Sequence, residues 1–129
     1  MVLDTSAIVA ILLNEPERRR FDRLIEKDSI RLLSAATLVE VALVIEGRKG
    51  DGGRIELDNF MWKAAITIVP VTAEHAEVAR EAFRRYGKGR HKAALNFGDC
   101  FSYALAKSSG EPLLFKGADF AATDIESAA

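Results

Sequence analysis

The sequence is short of several things, and each shortage excludes a class of protein. It has one cysteine, Cys100, so no intrachain disulfide can form, which fits a reducing compartment. Neither sign of charge is in excess: 18 Lys+Arg stand against 19 Asp+Glu, a formal net charge of −1. A chain so balanced does not attract nucleic acid through its overall field, and any such contact must come from a local patch. No apolar run reaches membrane-spanning length, and the first residues have neither the basic flank nor the cleavage site of a secretory leader. These absences predict a cytoplasmic protein with no membrane association. Repeats, low-complexity tracts and linkers are missing as well, so residues 1–129 read as a single domain long enough to bury a core.

What is present is an alternation of short apolar runs with helical patterns. Met1-Val2-Leu3 is a buried strand that stops at Asp4, and residues 7–13 continue as a buried helix. Pro16 suits the first turn of a second helix, which runs to Lys27 with Phe21, Leu24 and Ile25 on one stripe. Ile30-Arg31-Leu32-Leu33 is a second strand. Residues 35–45 form a helix apolar nearly all round, and such helices are buried. A polar turn follows over 47–53, then a helix over 55–65 with Leu57, Met61 and Trp62 on its stripe. Ile66-Thr67-Ile68-Val69 is a third strand, and a helix runs from Thr72 to Gly87. Asn96 caps the last helix, which stops at Gly110, and Leu113-Leu114-Phe115 makes a fourth strand. The tail adds a short edge strand near Asp124-Ile125 or frays. Strands alternating with helices predict an α/β fold with a parallel sheet and right-handed crossovers.

In such a sheet every strand's carboxyl end points to one edge, where ligands bind. Asp4 ends the first strand and Asp119 lies just beyond the fourth. Asp99 opens a helix, and Glu40 sits in the middle of an apolar one. Each acid has an ordinary explanation. Asp4 is a good helix cap, Asp99 falls in a capping-box position, and Glu40 can lie on a wet stripe. One shared pocket is the more economical account of all four. Converging carboxylates repel unless a cation neutralises them. Hard oxygen donors without a Cys/His cluster favour Mg²⁺ or Mn²⁺ over zinc. A carboxylate-held Mg²⁺ serves phosphate chemistry, acidifying the attacking water and neutralising phosphate oxygens.

One dense basic stretch, Arg84-Arg85-Tyr86-Gly87-Lys88-Gly89-Arg90-His91-Lys92, reads as a loop at a helix end. Cations are favoured at helix C-termini. Lys88, Arg90, His91 and Lys92, beyond Gly87, exceed what capping needs and have the composition of a phosphate-backbone contact.

Leu3-Asp4-Thr5-Ser6-Ala7, Glu40 in the third helix, Asn96-Phe97-Gly98-Asp99-Cys100 and Leu113-Leu114-Phe115-Lys116-Gly117-Ala118-Asp119-Phe120 occur in this order in a short chain. With these marks the sequence resembles, over essentially its whole length, a PIN-domain ribonuclease of the VapC toxin type. The resemblance implies a three-layer α/β/α sandwich with a short, mainly parallel central sheet. It also implies magnesium-dependent endoribonuclease activity on cellular RNA, a homodimer, and a cognate VapB-type antitoxin that blocks the site. Position by position, Asp4 and Asp99 match the principal metal ligands, and Glu40 matches the acid that completes the site or orients the water. Thr5 or Ser6 matches a hydroxyl behind the ligands, with Asn96 beside Asp99. The departure is at the fourth acid. Many members carry a Thr and a further acid before it, where this chain has Phe115 and Gly117. Asp119 alone remains, to hold metal through water or to anchor its loop. Lys116 beside it either faces the substrate phosphate or is solvated.

Other readings are weaker. A non-catalytic RNA-binding module of the same fold is favoured by the thinned fourth acid and opposed by the three intact ones. A phosphoacceptor receiver domain needs paired acids after the first strand and an Asp after the third, where this chain has Pro70-Val71-Thr72. A haloacid-type phosphatase lacks its second Asp after Asp4. Nucleophilic catalysis by Cys100 with His91 competes poorly with Cys100 as a small packed side chain.

Overall fold

A computed structural model describes all residues, Met1–Ala129. The strands β1 (Val2–Leu3), β2 (Leu32–Ser34), β3 (Thr67–Val69) and β4 (Leu113–Leu114) form one parallel sheet in the order β3-β2-β1-β4. The helices are α1 (Thr5–Leu12), α2 (Arg18–Lys27), α3 (Ala35–Lys63), α4 (Ala73–Tyr86) and α5 (Phe97–Ser109), with a 3-10 turn over Phe120–Ala122. The chain starts at the sheet's centre, works outward through β2 and β3, and returns to the other side of β1 as β4. Strand order therefore reverses between β1 and β4. That is the topological switch point at which open α/β sheets form a crevice.

The strands are so short that each residue's direction matters. Leu3, Leu33 and Leu114 point into a core shared with α1, α2 and the first half of α3, built on Ile8, Phe21, Val41 and Ile45. Val2 and Leu113 point the other way, into a core with Tyr86, Leu95, Tyr103 and Phe120. One buried Phe or Leu contributes roughly 1.5–3 kcal/mol. The two cores make the molecule a three-layer sandwich.

The polar turn expected over residues 47–53 is tighter than the sequence suggested. Two helices meet there across a kink, and only Gly50 leaves helical geometry, at φ 61° and ψ −146°. The chain doubles back there so closely that a Cβ on Gly53 would lie 2.8 Å from Ile45 O. The first half of α3 is not buried all round, as its apolar run implied. Val39 and Leu43 are exposed on it, and Trp62 faces solvent on the second half. The tail does not fray. Leu113 N–H donates to Glu126 O (2.9 Å) and Ala128 N–H to Leu113 O (2.9 Å), so the edge bridge forms at Ser127. Asp124 accepts from Tyr103 Oη at 2.7 Å and pairs with Lys107 Nζ at 2.7 Å. No helix is long and apolar enough to cross a membrane.

Candidate active site

The switch-point crevice collects the acids. Asp4 follows β1 directly and is buried. It caps α1, accepting from Ser6 N–H at 3.0 Å, so the capping explanation of this residue holds. The capping role uses one oxygen only. Ser6 Oγ donates to that same Oδ2 at 2.7 Å, and Ser102 Oγ donates to Oδ1 at 2.6 Å. A buried carboxylate is tolerable only with such donors. Asp99 also does two things. It completes a capping box with Asn96: Asp99 N–H donates to Asn96 Oδ1 at 2.9 Å, and Asn96 N–H donates to Asp99 Oδ2 at 3.0 Å. Its Oδ1 accepts no hydrogen bond from the protein.

Glu40 reaches the same place from α3. It is half-buried, and its Oε1 accepts a short hydrogen bond from Thr5 Oγ1. Its carboxylate lies so close over the start of α5 that a Cβ on Gly98 would overlap Oε2. A side chain at this position would displace the Glu40 carboxylate. Asp119 stands on the exposed loop after β4 and makes no cap hydrogen bond to the 3-10 turn it precedes.

The electrostatics tie the four together. Asp99 is pushed up from 3.8 to about 6, chiefly by burial. The hydrogen bond from Asn96 pulls it back, and the charges of Asp4, Asp119 and Glu40 raise it further. The charges of the other three acids thus reach Asp99, and no basic side chain stands among the influences on it. Lys116, on the loop that carries Asp119, pairs with Glu15 (3.2 Å) and Glu17 (3.4 Å) instead.

No three of these acids close on one point as a ready-made chelate. What they present is an excess of hard oxygen donors, with Asp99 Oδ1 and Glu40 Oε2 unpaired. That suits a small divalent cation taking one or two carboxylates and keeping several waters. It does not suit zinc, which wants a closed set of nitrogen and sulfur ligands. Cys100 is no competitor as a nucleophile: burial, then the neighbouring Asp99, push its thiol up to about 11.

Two hydroxyls at the site have no obvious mark in the sequence. Ser102 lies one turn beyond Asp99, and Thr37 one turn before Glu40; both are buried, their oxygens 3.4 Å apart. The signal that finds them is helical spacing, because residues three apart share a face. No ion pair or hydrogen bond joins the basic loop to the acids. Lys88, Arg90 and Lys92 are exposed. His91 is held, its Nδ1 accepting from Ala93 N–H at 3.0 Å and its ring set edge-on to Tyr86. The Arg90 guanidinium sits over Phe83 and lines, with Phe97 and Phe101, a groove between α4 and α5 that ends at the start of α5.

The PIN domain family model matches residues 1–126. Ribonuclease VapC30 of Mycobacterium tuberculosis is 57% identical over 129 residues, covering 100% of this chain and 98% of the relative. Ribonuclease VapC of Mycolicibacterium smegmatis is 54% identical, covering 97% of each. Among solved structures, the crystal structure of Mycobacterium tuberculosis VapC20, a Sarcin-Ricin loop cleaving toxin, superposes with a TM-score of 0.78 at 21% identity. The match covers 96% of this chain and 95% of that one, and at that identity it speaks to the fold alone. By sequence, fold and the placing of its acids at the sheet's switch point, the chain belongs to the PIN-domain family and, within it, to the VapC ribonucleases.

Proposed function

We propose that the protein is a Mg²⁺-dependent endoribonuclease, Mn²⁺ serving in its place, that acts as the toxin of a toxin–antitoxin pair. The observation that carries this reading is the gathering of Asp4, Glu40 and Asp119 around Asp99, whose carboxyl is raised to about 6 first by burial and then by the charges of those three acids. A divalent ion held by Asp4 and Asp99, with Glu40 and Asp119 beside them, would neutralise phosphate oxygens and make a bound water more acidic. The protein's own part is arrangement. Ser102 and Ser6 hold both oxygens of Asp4. Thr5 fixes Glu40 through Oε1 and leaves Oε2 free to orient a water and take its proton. Lys88, Arg90 and Lys92 hold the RNA backbone, with His91 at the base of their loop.

The test is incubation of purified protein with RNA in Mg²⁺, in Mn²⁺ and in EDTA, beside Asp99→Asn. Cleavage in both ions, none in EDTA and a loss of several orders of magnitude in the variant support the reading. A variant that cleaves like the wild type removes Asp99 from the metal pocket. RNA bound but not cut in any ion would favour the non-catalytic module.

The antitoxin follows from the surface around the acids. Val39 and Leu43, 58% and 71% exposed, form an apolar stripe on the helix that carries Glu40. A VapB-type peptide with apolar anchors can lie along it and extend an Arg or Lys to Asp4, Glu40 and Asp99, in competition with the metal. Co-expression of the product of the neighbouring gene should rescue growth, and its Arg/Lys→Glu variant should not. A homodimer belongs to the same reading, with Phe97 the most exposed aromatic beside the site, and sedimentation tests it.

A further inference from the structure

The loop that carries Asp119 is held from one side by a cation. Phe115 and Phe120 close its base, their rings 5.3 Å apart. Gly117, at φ 102°, reverses the chain between them in a conformation that side chains rarely adopt. Lys116 lies at the shoulder of this turn and is fixed at both ends. Its backbone N–H donates to Ser6 Oγ at 2.9 Å, the same hydroxyl that donates to Asp4. Its ammonium crosses to the segment joining α1 and α2, where it meets Glu15 Oε1 at 3.2 Å and Glu17 Oε2 at 3.4 Å. Glu17 Oε2 is buried and has no hydrogen-bond donor, so this ion pair is its one compensation. The three side chains are about a third exposed (35%, 32% and 32%). Asp119 itself contributes no hydrogen bond to its loop.

We propose that Lys116 is a positioning residue: clamped between Glu15 and Glu17, it fixes the 116–119 loop and with it the position of the Asp119 carboxylate. The proposal rests on the nuclease reading for its effect on cleavage. It rests on the loop's geometry alone for its effect on order.

The full-length protein tests it in two ways. The first is amide hydrogen exchange of the peptide covering residues 115–120, measured without metal. Lys116→Met should speed exchange there by about 10-fold, and the Glu15→Gln/Glu17→Gln double variant should do the same, with the sheet unaffected; Lys116→Arg should behave as wild type. The second is kinetics on a short RNA. Lys116→Met should lower kcat by about 10-fold, as loss of a supporting contact does, with KM within about 2-fold. In an Asp119→Asn background it should cost nothing more, because both changes remove one function. Unchanged exchange overturns the proposal. So does a raised KM with kcat intact, which would put Lys116 on the RNA itself, or a full additional loss in the Asp119→Asn background. If the wild type cleaves no RNA, the nuclease reading falls, and the exchange measurement still decides the clamp.

Discussion

Ser102 Oγ donates to Asp4 Oδ1 at 2.6 Å, joining residues 98 positions apart inside the core. The bond places the acid of the first strand against the helix that Asp99 opens. It is the one hydrogen bond that Asp4 Oδ1 accepts from the protein. Ser102→Ala should destabilise the protein by about 1–3 kcal/mol, the cost of stranding a buried acceptor. Cleavage should fall about 10- to 100-fold with it. Denaturant melts and cleavage rates measured side by side check both numbers, and an alanine variant at wild-type stability would show that the bond contributes nothing.

Gly98→Ala should separate folding from function in the opposite way. An added Cβ overlaps Glu40 Oε2, the far end of a side chain able to swing outward, so the helix survives and Glu40 leaves its place. We expect melting within a few degrees of wild type and cleavage at least 10-fold lower, matching Glu40→Gln. A crystal structure of the variant with Glu40 unmoved would refute this account.

The raised Asp99 has a signed consequence for stability in EDTA. Its folded pKa of about 6 lies above the ordinary 3.8, so the folded protein binds this proton more tightly than the unfolded chain does. The favourable contribution is present below about pH 4 and is lost as pH rises to about 6. Its size is of the order of 2–3 kcal/mol. Urea unfolding across that range should show the decline in the wild type and lose it in Asp99→Asn. Equal slopes in the two proteins would contradict the raised Asp99.

The basic loop predicts a salt dependence. Replacing Lys88, Arg90 and Lys92 together with alanine removes three phosphate contacts, and the slope of log K against log salt should flatten by about 2 for single-stranded RNA. Binding should weaken on all sequences alike. An unchanged slope takes the loop out of the RNA path.

Much of this was legible in the sequence because the relevant signals are local. Asp4 after an apolar run, Asn96 three before Asp99, and strands alternating with helices are patterns of neighbours. The same patterns hid the double duty of these acids, since a cap looks complete in itself. Ser102 and Thr37 went unread because a hydroxyl inside an apolar helix breaks no periodicity; only the acid one turn away marks it. Lys116 and Glu15 are separated by 101 positions, and nothing local announces such a pair. Val39 and Leu43 misled in the other direction. Their apolar run reads as core, yet in the folded chain they are left at the surface.

Because β1 contributes only Val2 and Leu3, the sheet's centre is held by very few bonds. Val2 N–H reaches Pro112 O (2.8 Å), Asp4 N–H reaches Leu114 O (3.0 Å), and Leu32 N–H reaches Met1 O (2.9 Å). Both cores meet on that strand, so parting it dismantles the two helical layers together. The acids are strung across the same seam. Heat or urea should therefore leave no intermediate with half a sheet and a working site, and loss of activity should coincide with loss of structure in one all-or-none transition.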